Sequence, residues 1–215
     1  MLGYQIIPVT HYQQNCSLIW CQETGKAAFV DPGGEPEKLL LALEQSGATL
    51  EKILLTHGHM DHVGAARVIA ERCGVPILGP HKADQFWLDN LPQQAQMMGF
   101  EPVGEVQSDQ WLNDGDTISL GNCTLVVLHC PGHTPGHIVL VDKQARLAFV
   151  GDVLFKGSVG RTDFPQGNHA HLVDSIVTKL WPLGGDIQFV PGHGPMSDFA
   201  QERANNPFVA DKNFG

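Results

Sequence analysis

The chain has 215 residues, of which 42% are hydrophobic and 17% charged, proportions of an ordinary folded globular protein. Its formal net charge of −10 argues against a large nucleic-acid surface, which needs a basic footprint. There is no run of about 20 apolar residues and no basic-then-apolar leader, so neither a membrane-spanning helix nor a signal peptide is expected.

Taken in chain order, the first elements are strands over 4–9, 15–21 and 27–31, with a hairpin turn at Glu23-Thr24-Gly25 and a turn at Asp31-Pro32-Gly33-Gly34. A helix is predicted from Pro36 to Ser46, with Pro36 near its first position, Gly47 as its stop and Leu39, Leu40, Ala42 and Leu43 on its apolar face. A buried strand over 50–55 leads into Thr56-His57-Gly58-His59-Met60-Asp61-His62, and a helix follows from Val63 to about Cys73, stopped by Gly74. Residues 76–79 read as a short strand. Residues 81–100 read as irregular helix carrying Phe86, Trp87, Met97 and Met98, either a flap over a site or a packing surface. Strands over 110–120, 123–129, 138–141 and 147–150 precede a helix at 169–180, a strand at 187–190 and one short helix after Pro195. The second half repeats the theme of the first, which predicts an α/β protein of two packed sheets with helices outside. No linker or low-complexity segment divides it, so a single domain over 1–215 is expected. The cysteines (Cys16, Cys21, Cys73, Cys123 and Cys130) are odd in number and form no CxxC pair, a pattern of reduced thiols in a cytoplasm.

The 57–62 run places three imidazoles and one carboxylate within six residues, and all are ordinary ligands of divalent metals. An open metal site usually takes three protein ligands plus water, so the cluster predicts two adjacent metals completed from elsewhere. The later strands supply candidates: 125–128 leads to His133, 147–150 to Asp152 and 187–190 to His193, each flanked by glycine. Strand ends at one sheet edge are where α/β folds gather such groups. Singly, His193 reads as a surface or capping residue and Asp152 as a turn cap. His129 reads as structural and His137 as a support. His11, His81, His169 and His171 have no convergent context.

The ordered pattern His57-x-His59-x-Asp61-His62, His133, Asp152, His193 resembles the metallo-β-lactamase superfamily over residues 4–195. The resemblance implies an αββα four-layer sandwich with metals at one sheet edge. It implies that His57, His59 and His133 hold a first metal, that Asp61, His62 and His193 hold a second, and that Asp152 bridges them. Asp61 and Asp152 are then the catalytic carboxylates. Zinc is the first expectation for the two divalent ions, with iron or manganese as alternatives.

The segment Gly157-Ser158-Val159-Gly160-Arg161-Thr162-Asp163-Phe164-Pro165, with Asn15-Cys16 and Pro131-Gly132-His133-Thr134, is similar to the glyoxalase II-like branch, nearest its short single-domain bacterial type. That branch implies hydrolysis of S-D-lactoylglutathione to D-lactate and glutathione. Long glyoxalase II enzymes add a C-terminal helical domain, but only residues 194–215 follow His193 here. They also contact glutathione through a Lys and a Tyr where this chain has Arg161 and Asp163. Arg161 is therefore the expected substrate-binding residue, able to take a carboxylate bidentately, with Asp163 orienting it. The expected partner is a small-molecule thioester, with no nucleic acid or membrane, for a cytoplasmic monomer or small homo-oligomer. The main rival is a persulfide dioxygenase, which shares the fold. Other hydrolases of the fold and a metal-stabilised binding module rank behind it.

Overall fold

A computed structural model describes residues 1–214. The chain opens with a meander of β1 (Leu2–Val9), β2 (Gln14–Cys21) and β3 (Lys26–Val30). Helix α1 (Pro36–Ser46) carries the chain back so that β4 (Thr49–Leu54) lies parallel to β3. Its ends are those the sequence predicts: Pro36 sits in the first turn, and Gly47 takes the left-handed conformation (φ 66°) that glycine adopts without strain. Next come α2 (Met60–Val63), α3 (Ala66–Cys73) and β5 (Ile77–Leu78), which pairs parallel with β4. The first sheet thus runs β1-β2-β3-β4-β5.

After α4 (Gln85–Asp89) and α5 (Leu91–Met98), β6 (Thr117–Leu120), β7 (Cys123–His129), β8 (Ile138–Asp142) and β9 (Leu147–Gly151) form an antiparallel run. A small hairpin of β10 (Leu154–Phe155) and β11 (Ser158–Val159) precedes α6 (His169–Ser175). Then β12 (Gln188–Pro191) adds parallel to β9, β13 (Ser197–Asp198) pairs with it, and α7 (Phe199–Asn205) follows. The second sheet runs β13-β12-β9-β8-β7-β6.

Side-chain alternation builds the layers. In β3, Ala27 and Phe29 join the core beneath α1 and α3, while Ala28 and Val30 face the second sheet. In β8, Ile138 and Leu140 fill the inter-sheet core, and Val139 and Val141 pack with Leu172, Ile176 and Phe199 on the far side. Both faces are buried, which is why these strands read as continuous apolar runs. The result is the expected αββα sandwich. Among the described residues no helix is long and apolar enough to cross a membrane.

The structure corrects several expectations. The helix predicted over 63–73 is broken at Gly64, where a Cβ would stand 2.6 Å from the Gly33 carbonyl oxygen, so close backbone packing replaces helix continuity. Residues 110–116 are not strand; only Gln110 bridges to Leu78. Of the two readings of segment 81–100, the structure favours the packing surface: Trp87, Leu88, Leu91 and Ala95 are buried, while Met97 is 87% exposed. The β10–β11 hairpin and β13 were not anticipated. Strands β4, β9 and β12 end at one edge, with β7 leading into the loop that reaches it.

Candidate metal centre

All of the predicted ligands meet at this edge. The loops at this edge are packed tightly against one another: a Cβ on Gly33 would stand 1.6 Å from the Asp61 carbonyl oxygen, and one on Gly192 would stand 2.1 Å from Asp152 Oδ1. Only glycine allows these approaches. The nitrogens of His57, His59 and His133 all lie within 4.8 Å of one another, as do the ligand atoms of Asp61, His62 and His193. Asp152 stands between the triples. Its Oδ1 is 3.4 Å from His62 Nε2, and its Oδ2 is 3.5 Å from His133 Nε2 and 3.8 Å from His193 Nε2. His59 Nδ1 is 3.0 Å from His133 Nε2, and His193 Nε2 is 3.1 Å from Asp61 Oδ2.

These spacings suit a cation. Tetrahedral ligands bonded at 2.0–2.1 Å stand about 3.4 Å apart. His57 Nε2, His62 Nε2 and Asp152 Oδ1 are buried without any hydrogen-bond partner. Buried polar atoms left unpaired are costly, and here they converge on the two positions that metals would satisfy. The residues present therefore fit a two-metal group.

Their back sides are fixed by the fold. Asp31 Oδ2 takes His62 Nδ1–H at 2.9 Å and the Thr56 hydroxyl at 2.6 Å, and Asp31 Oδ1 accepts the Thr56 amide at 2.7 Å. Asp31, His57 and His62 also form a compact triple, but these bonds occupy the Asp31 oxygens and make it a support. Thr56 Oγ1 lies 3.0 Å from His57 Nδ1. His133 Nδ1–H donates to the Arg161 carbonyl at 2.7 Å, and His193 Nδ1–H to the Tyr12 carbonyl at 3.1 Å. Such partners set tautomer and ring orientation in metal sites. His137, buried and stacked on His57, accepts the Asp152 amide through Nε2 at 3.0 Å. His129 is structural, bonded to the Pro135 carbonyl at 2.8 Å.

Sequence reasoning missed Asp31, Asp84 and Gln94. Asp84 takes the Gly58 amide at 2.9 Å and the Thr134 hydroxyl at 2.7 Å, tying both ligand loops together. Gln94 accepts the Met60 amide at 3.0 Å and donates to the Gly58 and Trp87 carbonyls. Asp31 carried one overlooked signal: it ends a strand, as Asp152 does.

Burial and the neighbouring imidazoles hold His57 well below an ordinary histidine, and the same causes bring His59 down to about 3. Burial lowers His133 too, against the pull of Asp152. Burial opposes charge on Asp152, yet His62, His133 and His193 hold it far below the usual carboxylate range. Burial likewise opposes protonation of His62 and His193, but the facing carboxylates raise both. The first triple is thus neutral and ready to ligate. The second balances its carboxylates with protons that a cation would replace.

Phe164 packs on His59 (4.7 Å) and Trp87 (6.2 Å), walling the first triple. The Arg161 side chain stands at the rim, pairs through two nitrogens with Asp163 at 3.0 and 2.9 Å, and lies over the Phe164 ring. His193, with a side chain 28% exposed, opens the other side.

The family model of the metallo-β-lactamase superfamily matches residues 9–193. The chain belongs to that superfamily. Within the superfamily it is 46% identical to the hydroxyacylglutathione hydrolase GloC of Haemophilus influenzae, over 98% of this chain and all of that one, which supports the glyoxalase II-like branch. It is 34% identical to the probable metallo-hydrolase YqgX of Bacillus subtilis, over 97% of this chain and 98% of that protein. Among solved structures, TTHA1623 in a di-iron-bound form superposes with a TM-score of 0.87 at 34% identity, covering 95% of this chain and 100% of that one. The BLEG-1 B3 metallo-β-lactamase superposes with a TM-score of 0.88 at 33% identity, covering 96% and 99%. Family, fold and site make the chain a metallohydrolase.

Proposed function

We propose that the chain is a two-metal thioester hydrolase that cleaves S-D-lactoylglutathione to D-lactate and glutathione. One observation carries the two-metal part: two triples of ligand atoms flank a single buried carboxylate, Asp152, and their unpaired atoms face one another. His57, His59 and His133 would hold one ion, Asp61, His62 and His193 the other, and Asp152 both. The ions, zinc, iron or manganese, would activate water at neutral pH and polarise the thioester carbonyl. The chain's own part is to place and shield. Asp61, hydrogen-bonded to His193, can orient a water beside Asp152. Phe164 and Trp87 exclude bulk water from the His59 side, and the open His193 side admits substrate. The thioester part rests on the similarity to GloC.

The test is kcat/KM for S-D-lactoylglutathione on metal-replete protein. A value of about 10⁴–10⁸ M⁻¹s⁻¹, the usual enzyme range, is expected. Turnover far below it, with oxygen uptake on glutathione persulfide, would replace this reading with the dioxygenase.

A further inference from the structure

Arg161 is not a free charge. Its guanidinium is engaged by Asp163, and the other arginines, Arg67, Arg72, Arg146 and Arg203, are also in ion pairs. On a chain of net charge −10, an anionic substrate needs an unengaged cation near the opening.

The β10–β11 hairpin stands beside the opening and carries Lys156 at its turn. Phe155 pairs with Ser158, so Lys156 and Gly157 form the turn, and Gly157 takes φ 72°. The Phe155 ring lies 6.5 Å from the His193 ring, on the open side of the site. Lys156 is exposed and makes no salt bridge among the described residues.

The turn is held from behind by a buried polar network. Glu202 Oε2 accepts the Gly157 amide at 2.8 Å, and Glu202 Oε1 accepts the Ser197 hydroxyl at 2.5 Å. Asn206 Nδ2 donates to the Ser158 carbonyl at 3.0 Å and to Glu202 Oε2 at 2.9 Å. Glu202 is 2% exposed and Asn206 is fully buried. Burying a carboxylate and an amide to hold a two-residue turn is costly unless the position of that turn matters.

We propose that Lys156, at the tip of this clamped hairpin beside His193, takes a carboxylate of the thiol half of the substrate, with Glu202 and Asn206 as its positioning residues. The inference rests on the thioester reading for its substrate class. It moves anion recognition from Arg161, whose charge Asp163 already answers, to the opposite rim.

The experiment compares Lys156→Gln, Lys156→Arg and Arg161→Gln in the metal-loaded protein. Three readouts are used: hydrolysis of S-D-lactoylglutathione, hydrolysis of the uncharged thioester S-acetyl-N-acetylcysteamine, and calorimetric binding of the uncleavable S-methylglutathione. For Lys156→Gln, KM and the S-methylglutathione Kd should rise about three- to tenfold with kcat within about twofold, the size of one partly solvated charge contact. The neutral thioester should be unaffected. Lys156→Arg should restore binding, and Arg161→Gln should change it less. Unchanged KM and Kd in Lys156→Gln, or equal losses on the neutral thioester, would overturn the proposal. Wild-type protein that binds S-methylglutathione through Lys156 yet fails to hydrolyse S-D-lactoylglutathione would overturn the hydrolase reading and leave this one standing.

Discussion

Asp31 and Asp152 both terminate strands, yet they act at different distances from the candidate ions. Asp152 offers its oxygens to both triples, so Asp152→Ala should lose bound metal and most turnover. Metal content by elemental analysis checks this, and a folded variant with full metal would contradict it. Among the candidate ligands Asp31 bonds only to His62, at the back of its ring, and its other bonds hold Thr56. Asp31→Asn keeps the shape and the tolerance of a positive φ (51°) but removes the charge, and should weaken metal affinity about 10- to 100-fold by equilibrium dialysis. Acidity should act through His62 and His193, which the facing carboxylates raise against the opposing effect of burial. Below those raised values the rings keep their protons and compete with the ion; above them they do not. Metal affinity should therefore fall as pH drops through them, and calorimetry near neutrality in buffers of different ionisation enthalpy should show proton release. The candidate ligands were legible because four of them crowd into six residues. The supporting Asp31, Asp84 and Gln94 were not, because a hydrogen-bond partner chosen by tertiary approach leaves no spacing to read.

Helices α4 and α5 serve as a wall. Gln94 bonds the backbone at residues 58, 60 and 87, so its loss would strand buried groups. Gln94→Leu should cost about 2–3 kcal/mol in urea denaturation. Amides of 85–98 should exchange as slowly as the sheet core; fast exchange there would revive a moving flap. Elements with punctuation were readable in advance, as α1 shows between Pro36 and Gly47. The β10–β11 hairpin was not, since paired strands of two residues have no periodicity. The 110–116 stretch misled because its residues fit a strand but only Gln110 finds a pairing edge.

For the whole molecule, stability rests on the inter-sheet core. Leu140 is fully buried there beside Phe149 and Leu54, so Leu140→Ala should destabilise by about 3 kcal/mol. The two-sheet plan was visible as a repeated theme of strands ending in polar groups. The strand order was not, since adjacency depends on crossovers that composition does not encode. That plan divides the candidate ligands: His57, His59, Asp61 and His62 follow β4 of the first sheet, while His133, Asp152 and His193 follow strands of the second. An ion held by both groups is a rivet through the seam. It could leave quickly only when the halves part, so its escape into excess chelator should reach a ceiling that no further chelator raises. That ceiling would be the rate at which the two halves breathe apart, turning the bound ion into a clock for the sandwich itself.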